Sequence, residues 1–156
     1  LFQTLYPRHC VQETYGAKLH EKLRLPDDAF FTTKGEKTYV GSYSAFYDNS
    51  RNPLNVLKDR LDEDNIKVVL GCGLAYDICV RHPLDDANHL EFYSAVVRDA
   101  SKGVMVDSIK AADELFELKK IAILNETTAK SVISGQKIPK EWLLKFLEEK
   151  PLDEHQ

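Results

Sequence analysis

The sequence predicts an α/β protein, three-layered α/β/α around a mostly parallel sheet. Three observations carry that expectation. Apolar runs of strand length alternate with stretches of helical periodicity. The runs are continuously apolar rather than alternating, as in strands covered on both faces. Strands separated by helices of this length form βαβ units, whose ligands bind beyond the carboxyl ends of the strands. With 156 residues, 43% hydrophobic and 29% charged, the chain can bury one core.

In order, AFFTTK (29 to 34) reads as a short strand. PLNVLKDRLDED (53 to 64) places Leu54, Val56, Leu57 and Leu61 on one helical face, with Asn52 as cap and Pro53 in the first turn. NIKVVLGC (65 to 72) is a strand, and DICVRHPLDDANHL (77 to 90) a helix that Pro83 should kink or end in its first turns. HLEFYSAVVRD follows as a strand, SIKAADELFELKK as a helix and KKIAILN as a strand. TTAKSVISG is a helix ended by Gly135, and PKEWLLKFLEEK a closing amphipathic helix started near Pro139. No internal repeat or low-complexity linker interrupts this rhythm.

A net charge of −4 and the lack of a basic stripe argue against nucleic acid as partner. No apolar run reaches the roughly eighteen residues a membrane span needs, so no membrane partner is expected. Three cysteines without CxxC spacing suggest reduced thiols, which sets a cytoplasmic location as the expectation and a nuclear one as the alternative. The chain begins at Leu1 and its one methionine is Met105, so it is expected to be a fragment.

The stretch GCGLAYDICV (71 to 80) reads as a sharp turn from strand to helix. Gly71 and Gly73 supply a bend with little side-chain volume. Cys72, at the strand end, reads as buried and structural. Cys79 falls in the first helical turn, where free N–H groups and the helix dipole favour an anion, so it is either packing or a nucleophile.

The surrounding residues decide. GLAYDICV resembles the nucleophile signature of the isochorismatase-like cysteine hydrolases. YPRHCVQETYGAKLH, and TKG followed by GSYSAFYDN, narrow the likeness to the nicotinamidase/pyrazinamidase branch of that family. The likeness runs from about Leu5 to Leu124. It implies an isochorismatase-like, Rossmann-like fold over residues 1 to 156 that lacks its N-terminal part and first strand or strands, with 137 to 156 as a C-terminal helix and tail.

The resemblance also implies roles. Cys79 matches the nucleophile and Lys34 the catalytic lysine. Leu74 and Ala75 match a pair joined by a cis peptide, and the Ala75 and Cys79 amides match the oxyanion hole. His9 matches a metal ligand, which implies a divalent metal, zinc first, with iron or manganese as alternatives. Tyr6 stands where the family has a tryptophan lining the ring pocket, and Tyr43, Leu74 and Ala75 are further candidates to line it. The implied reaction is hydrolysis of nicotinamide, and of pyrazinamide, to the acid and ammonia through a cysteine thioester, in NAD salvage. The implied partner is thus a small carboxamide, with room left for a homo-oligomer. The alternatives are a related amidase of the family or an inactive form that keeps the fold.

The chemistry explains the residue types. An amide carbonyl is a poor electrophile, so the sulfur must attack as thiolate, favoured by an adjacent cation. The oxyanion then needs preset donors, and losing one costs about 2.7 to 4 kcal/mol in enzymes that use them. The family's catalytic aspartate and its Asp-x-His metal pair stand upstream of P-x-H-C and cannot be matched. His9 alone would hold zinc poorly.

Other residues carry plainer expectations. Asp77 reads as a cap for its own helix. His20, His82 and His89 read as solvent-facing or locally hydrogen-bonded, and Cys10 as packing. Phe46, like Tyr43, either walls the pocket or plugs the sheet. Asp62, Glu63 and Asp64 form a solvated helix end.

Overall fold

The computed structural model describes residues 6 to 149. Leu5, and the tail from 150 onward, lie outside the described residues. The chain divides into two compact units, Leu1–Thr33 and Lys34–Gln156.

The described part of the first unit is mostly exposed backbone with a single 3-10 turn, Tyr15–Ala17. The strand expected over 29 to 34 is absent: Phe30 and Phe31 are exposed, and no strand pairs with them among the described residues. Intrinsic β-propensity does not make a strand without a ladder partner.

The second unit holds the sheet. β1 (Val68–Leu74), β2 (Tyr93–Lys102) and β3 (Ala122–Leu124) lie in that spatial order, and both pairings are parallel. The helices are α1 (Asn55–Glu63), α2 (Arg81–His89), α3 (Val106–Leu118), α4 (Glu126–Ile133) and α5 (Lys140–Glu149).

Alternation along β2 makes the three layers. Val96 packs with Val80 and Leu84 beneath α2 and with Ala112 and Phe116 of α3. Ala95, one residue earlier, points the other way, into Ala122, Leu124, Ala129 of α4 and Trp142 of α5. The Trp142 indole N–H donates to the Ser94 carbonyl at 2.8 Å, so the buried ring leaves no polar atom unpaired. A third cluster joins Phe46, Ala87 and Phe92, with Leu57 and Leu61 of α1 against it.

Several expectations are corrected. Asn52 does not cap α1, because its side-chain amide donates to both oxygens of Asp48, at 2.9 and 3.2 Å. Pro53 pairs with Tyr47 in an isolated bridge, and the helix opens later, at Asn55. Pro83 neither kinks nor ends its helix. It is the third residue of α2, directly after a wide π-type turn, Tyr76–Val80, and there a missing N–H costs little. Asn125 caps α4 by accepting from Thr128 N at 2.8 Å, and Gly135, at φ +73°, follows its end.

Cys72 is exposed, not buried. β1 is an edge of the described sheet, and its pairing register shifts between Gly71 and Gly73, so Cys72 sits at the irregularity. Cys10 is exposed too, so it does not pack.

Candidate active site

The turn that carries Cys79 is built by close packing on one side and backbone bonds on the other. A Cβ on Gly71 would stand 3.0 Å from the Leu84 side chain of α2, tighter than an ordinary contact, so that side chain would have to give by a few tenths of an ångström. Gly73, at φ +113°, turns the chain at the strand end, and its N–H donates to Ser101 Oγ at 3.2 Å. The Leu74–Ala75 peptide bond is cis. The Ala75 carbonyl then accepts from Ile78 N and Val80 N, both at 3.0 Å, which winds the wide turn containing Cys79.

Tyr76 fixes the base of this turn. It is fully buried, meets Phe116 edge to face, donates its hydroxyl to Asp113 and lies under the Arg98 guanidinium. Burial, with the Asp113 carboxylate, pushes the phenol pKa up, so it stays protonated.

Asp77 is also buried, but it does not cap its own helix. Its carboxylate reaches across to the start of α3, accepting from Val104 N at 3.1 Å, Met105 N at 3.3 Å and the Ser108 hydroxyl. Burial alone would raise its pKa. The bonds from Ser108 and the two amides outweigh that and hold it below the ordinary value.

Lys34, the first residue of the second unit, is half-buried. Its ammonium donates to the Ser42 carbonyl at 2.6 Å and to Cys79 Sγ at 3.3 Å. The loop that offers Ser42 is internally stapled. Ser42 Oγ donates to the Ser44 carbonyl at 2.6 Å, and Tyr43 N donates to Asn49 Oδ1 at 3.0 Å. Asp48 gathers Ser50 N, Asn52 and Lys37, which bring its pKa down to about 2 against the opposing effect of burial. Phe46 is buried against Ala87 and Phe92, so it plugs the core and does not wall a pocket.

The structure thus brings Lys34 and Cys79 together, with Ala75 and the exposed Leu74 on the same turn. Tyr43 turns its ring onto His82, with centroids 5.2 Å apart. In the first unit, Tyr6 and His9 are exposed. His9 Nδ1–H donates to the Pro7 carbonyl at 2.6 Å. Among the described residues, no group of three His, Cys, Asp or Glu could hold a metal ion. His9 by itself does not fit one.

Two participants were not legible in the sequence. The Ser42 carbonyl is a backbone atom with no residue-type signature. His82, read as solvent-facing or locally hydrogen-bonded, is half-buried against Tyr43, and its spacing three residues after Cys79 was the available signal.

The arrangement can support a nucleophilic thiol beside a cation. An Escherichia coli K12 nicotinamidase is 38% identical over 116 residues, 74% of this chain and 54% of the relative. The chain therefore spans about half the length of the curated relatives it matches. An Acinetobacter baumanii nicotinamidase/pyrazinamidase structure superposes with a TM-score of 0.78 at 30% identity, covering 81% of this chain and 62% of that one. A Pyrococcus horikoshii pyrazinamidase in complex with zinc superposes at 0.67 with 32% identity, covering 78% and 63%. The family model described as the isochorismatase domain matches residues 1–129, and the chain belongs to the isochorismatase family.

Proposed function

We propose that the protein to which this chain belongs is a nicotinamidase, hydrolysing nicotinamide, and pyrazinamide as a close analogue, to the acid and ammonia. The observation that carries the reading is the Lys34 ammonium 3.3 Å from Cys79 Sγ, on the turn that follows Leu74 and Ala75. The nicotinamidase relatives supply the substrate class.

In this mechanism the Lys34 charge favours the thiolate of Cys79, and the sulfur attacks the carboxamide carbon. The carbonyl π electrons move onto oxygen, and the Ala75 and Cys79 amides donate to that oxyanion. When the carbonyl re-forms, the C–N bond breaks and the nitrogen leaves as ammonia, carrying the proton given up by the thiol. A thioester to Cys79 remains. Water adds to it, the C–S bond breaks, and the acid departs with the thiol restored. Asp77 takes no part in proton transfer, because its oxygens hold the start of α3. Leu74, Ala75 and Tyr43 are the proposed ring-lining groups of the second unit.

The resemblance, rather than any distance, is the ground for giving Tyr6 a ring-facing role and His9 a metal role. The zinc in the Pyrococcus horikoshii relative makes a divalent metal the cofactor we would supply in assays. No step above runs through it, since the described residues assemble no three-donor group.

The test is ammonia release from nicotinamide by the full-length protein with zinc, iron or manganese supplied. Turnover is expected, with Cys79→Ala inactive and Lys34→Met slowed at least about a hundredfold, the scale of a lost charge-stabilising group. No release under any of the three metals would leave the non-catalytic form as the reading.

A further inference from the structure

We propose that His82 is a positioning residue: its ring contact with Tyr43 locks the Ser42 loop to the helix that follows Cys79 and so sets the Lys34–Cys79 contact. The inference rests on Cys79 being the reactive thiol.

The chain of contacts is short. Ser42 holds the Lys34 ammonium through its carbonyl at 2.6 Å, and Tyr43 is the next residue. The Tyr43 backbone is pinned by Asn49 Oδ1, so its ring and the Ser42 carbonyl move as one piece. That ring meets the His82 imidazole at 5.2 Å between centroids, tilted by 42°. His82 is the second residue of α2, and Cys79 lies on the wide turn that leads directly into that helix. The loop and α2 are therefore tied three residues along the chain from the sulfur.

Elsewhere the same loop is held independently. Phe46 packs on Ala87 and Phe92, and Arg51 donates to Asp86 at 2.6 Å. Losing the His82 ring thus loosens the loop locally, near Lys34, while the far anchors keep it folded. A neutral ring suits the place. Burial lowers the His82 pKa, the neighbouring Arg81 adds to this and Lys34 contributes a smaller push, against Asp86 and Asp85, which disfavours a charged ring here.

The contact needs a ring, not an imidazole. Brief iodoacetamide labelling of the full-length protein, followed by peptide mapping, reads the rate at Cys79 with Cys10 and Cys72 as internal references. We expect His82→Ala to slow Cys79 about fivefold or more while the other two cysteines keep their rates, and His82→Phe to restore it to within about twofold. Tyr43→Leu should match His82→Ala, and the double variant should be no slower than either, because both remove one contact. In nicotinamide turnover, kcat should fall in His82→Ala and return in His82→Phe. The proposal is overturned if His82→Ala labels at the wild-type rate or faster, if His82→Phe is as slow as His82→Ala, or if the two losses multiply in the double variant. A wild type that labels at Cys79 but does not turn over nicotinamide would remove the nicotinamidase reading alone, and the labelling series would still decide the role of His82.

Discussion

Replacing Asp77 separates a structural carboxylate from a catalytic one. Asp77 is 2% exposed, and one side chain serves three donors at the start of α3: Val104 N, Met105 N and the Ser108 hydroxyl. Removing a helix cap typically costs about 0.5 to 2 kcal/mol. Here the loss should reach or pass the top of that range, because three donors lose their acceptor at once. It should not reach the full sum, since Val104 and Met105 are themselves exposed and water can reach their amides. We expect about 2 to 3 kcal/mol for Asp77→Ala and about half that for Asp77→Asn, which keeps one acceptor oxygen.

For a domain of this size each kcal/mol moves Tm by about 2 to 4 °C, so Asp77→Ala should melt about 4 to 12 °C below wild type. The sign with pH follows from the depressed folded pKa. The carboxylate's contribution is present above its ordinary value of 3.8 and is lost as pH falls through the lower folded value. The gap between wild type and variant should therefore narrow in acid. Thermal melts at pH 7 and pH 3, with Cys79 labelling in parallel, make the assay. A variant melting within about 1 °C of wild type would refute the capping role. Asp77→Asn that melts normally yet slows Cys79 more than about tenfold would instead make the carboxylate a proton carrier.

Two further outcomes concern the loop and the core. Asp48, with its pKa brought down to about 2 by Asn52, Lys37 and Ser50, should lend stability that is complete above pH 3.8 and fades toward pH 2. Urea midpoints of wild type and Asp48→Asn should thus converge in acid, and a gap that stays constant down to pH 2.5 would contradict this. Phe116, fully buried between Tyr76, Val80 and Ile121, should cost about 3 to 5 kcal/mol on replacement by alanine, read from urea unfolding, and a loss under 1 kcal/mol would mean the core cluster is mispacked.

Periodicity located β1, β2, β3, α3, α4 and α5, because the apolar spacing of each is written in the chain. Their ends were less legible. β1 runs on to Leu74 because its pairing with β2 resumes after the irregularity at Gly71 and Gly73, a matter of register between distant strands. α1 starts at Asn55 because Asp48 takes the amide of Asn52, a partner four residues away that no capping rule considers. Phe30 and Phe31 looked like a strand by residue type, yet a strand exists only where a neighbour completes its hydrogen bonds.

The order of residues by itself determined that a thiol follows a glycine-led turn at a strand end, and the quoted motifs pointed to Cys79 and Lys34 together. What tertiary structure decided is which atoms meet. Cys72 and Cys79 are both cysteines near one turn, but the edge-strand irregularity leaves the first exposed while the wide helical turn sets the second beside Lys34. Asp77 looks like a local cap, yet it caps a helix whose first residue stands 29 positions later than its own, at Val106. The Ser42 carbonyl carries no signal of its own, because its part depends on distance, and distance between residues far apart in sequence is set only when the core layers pack.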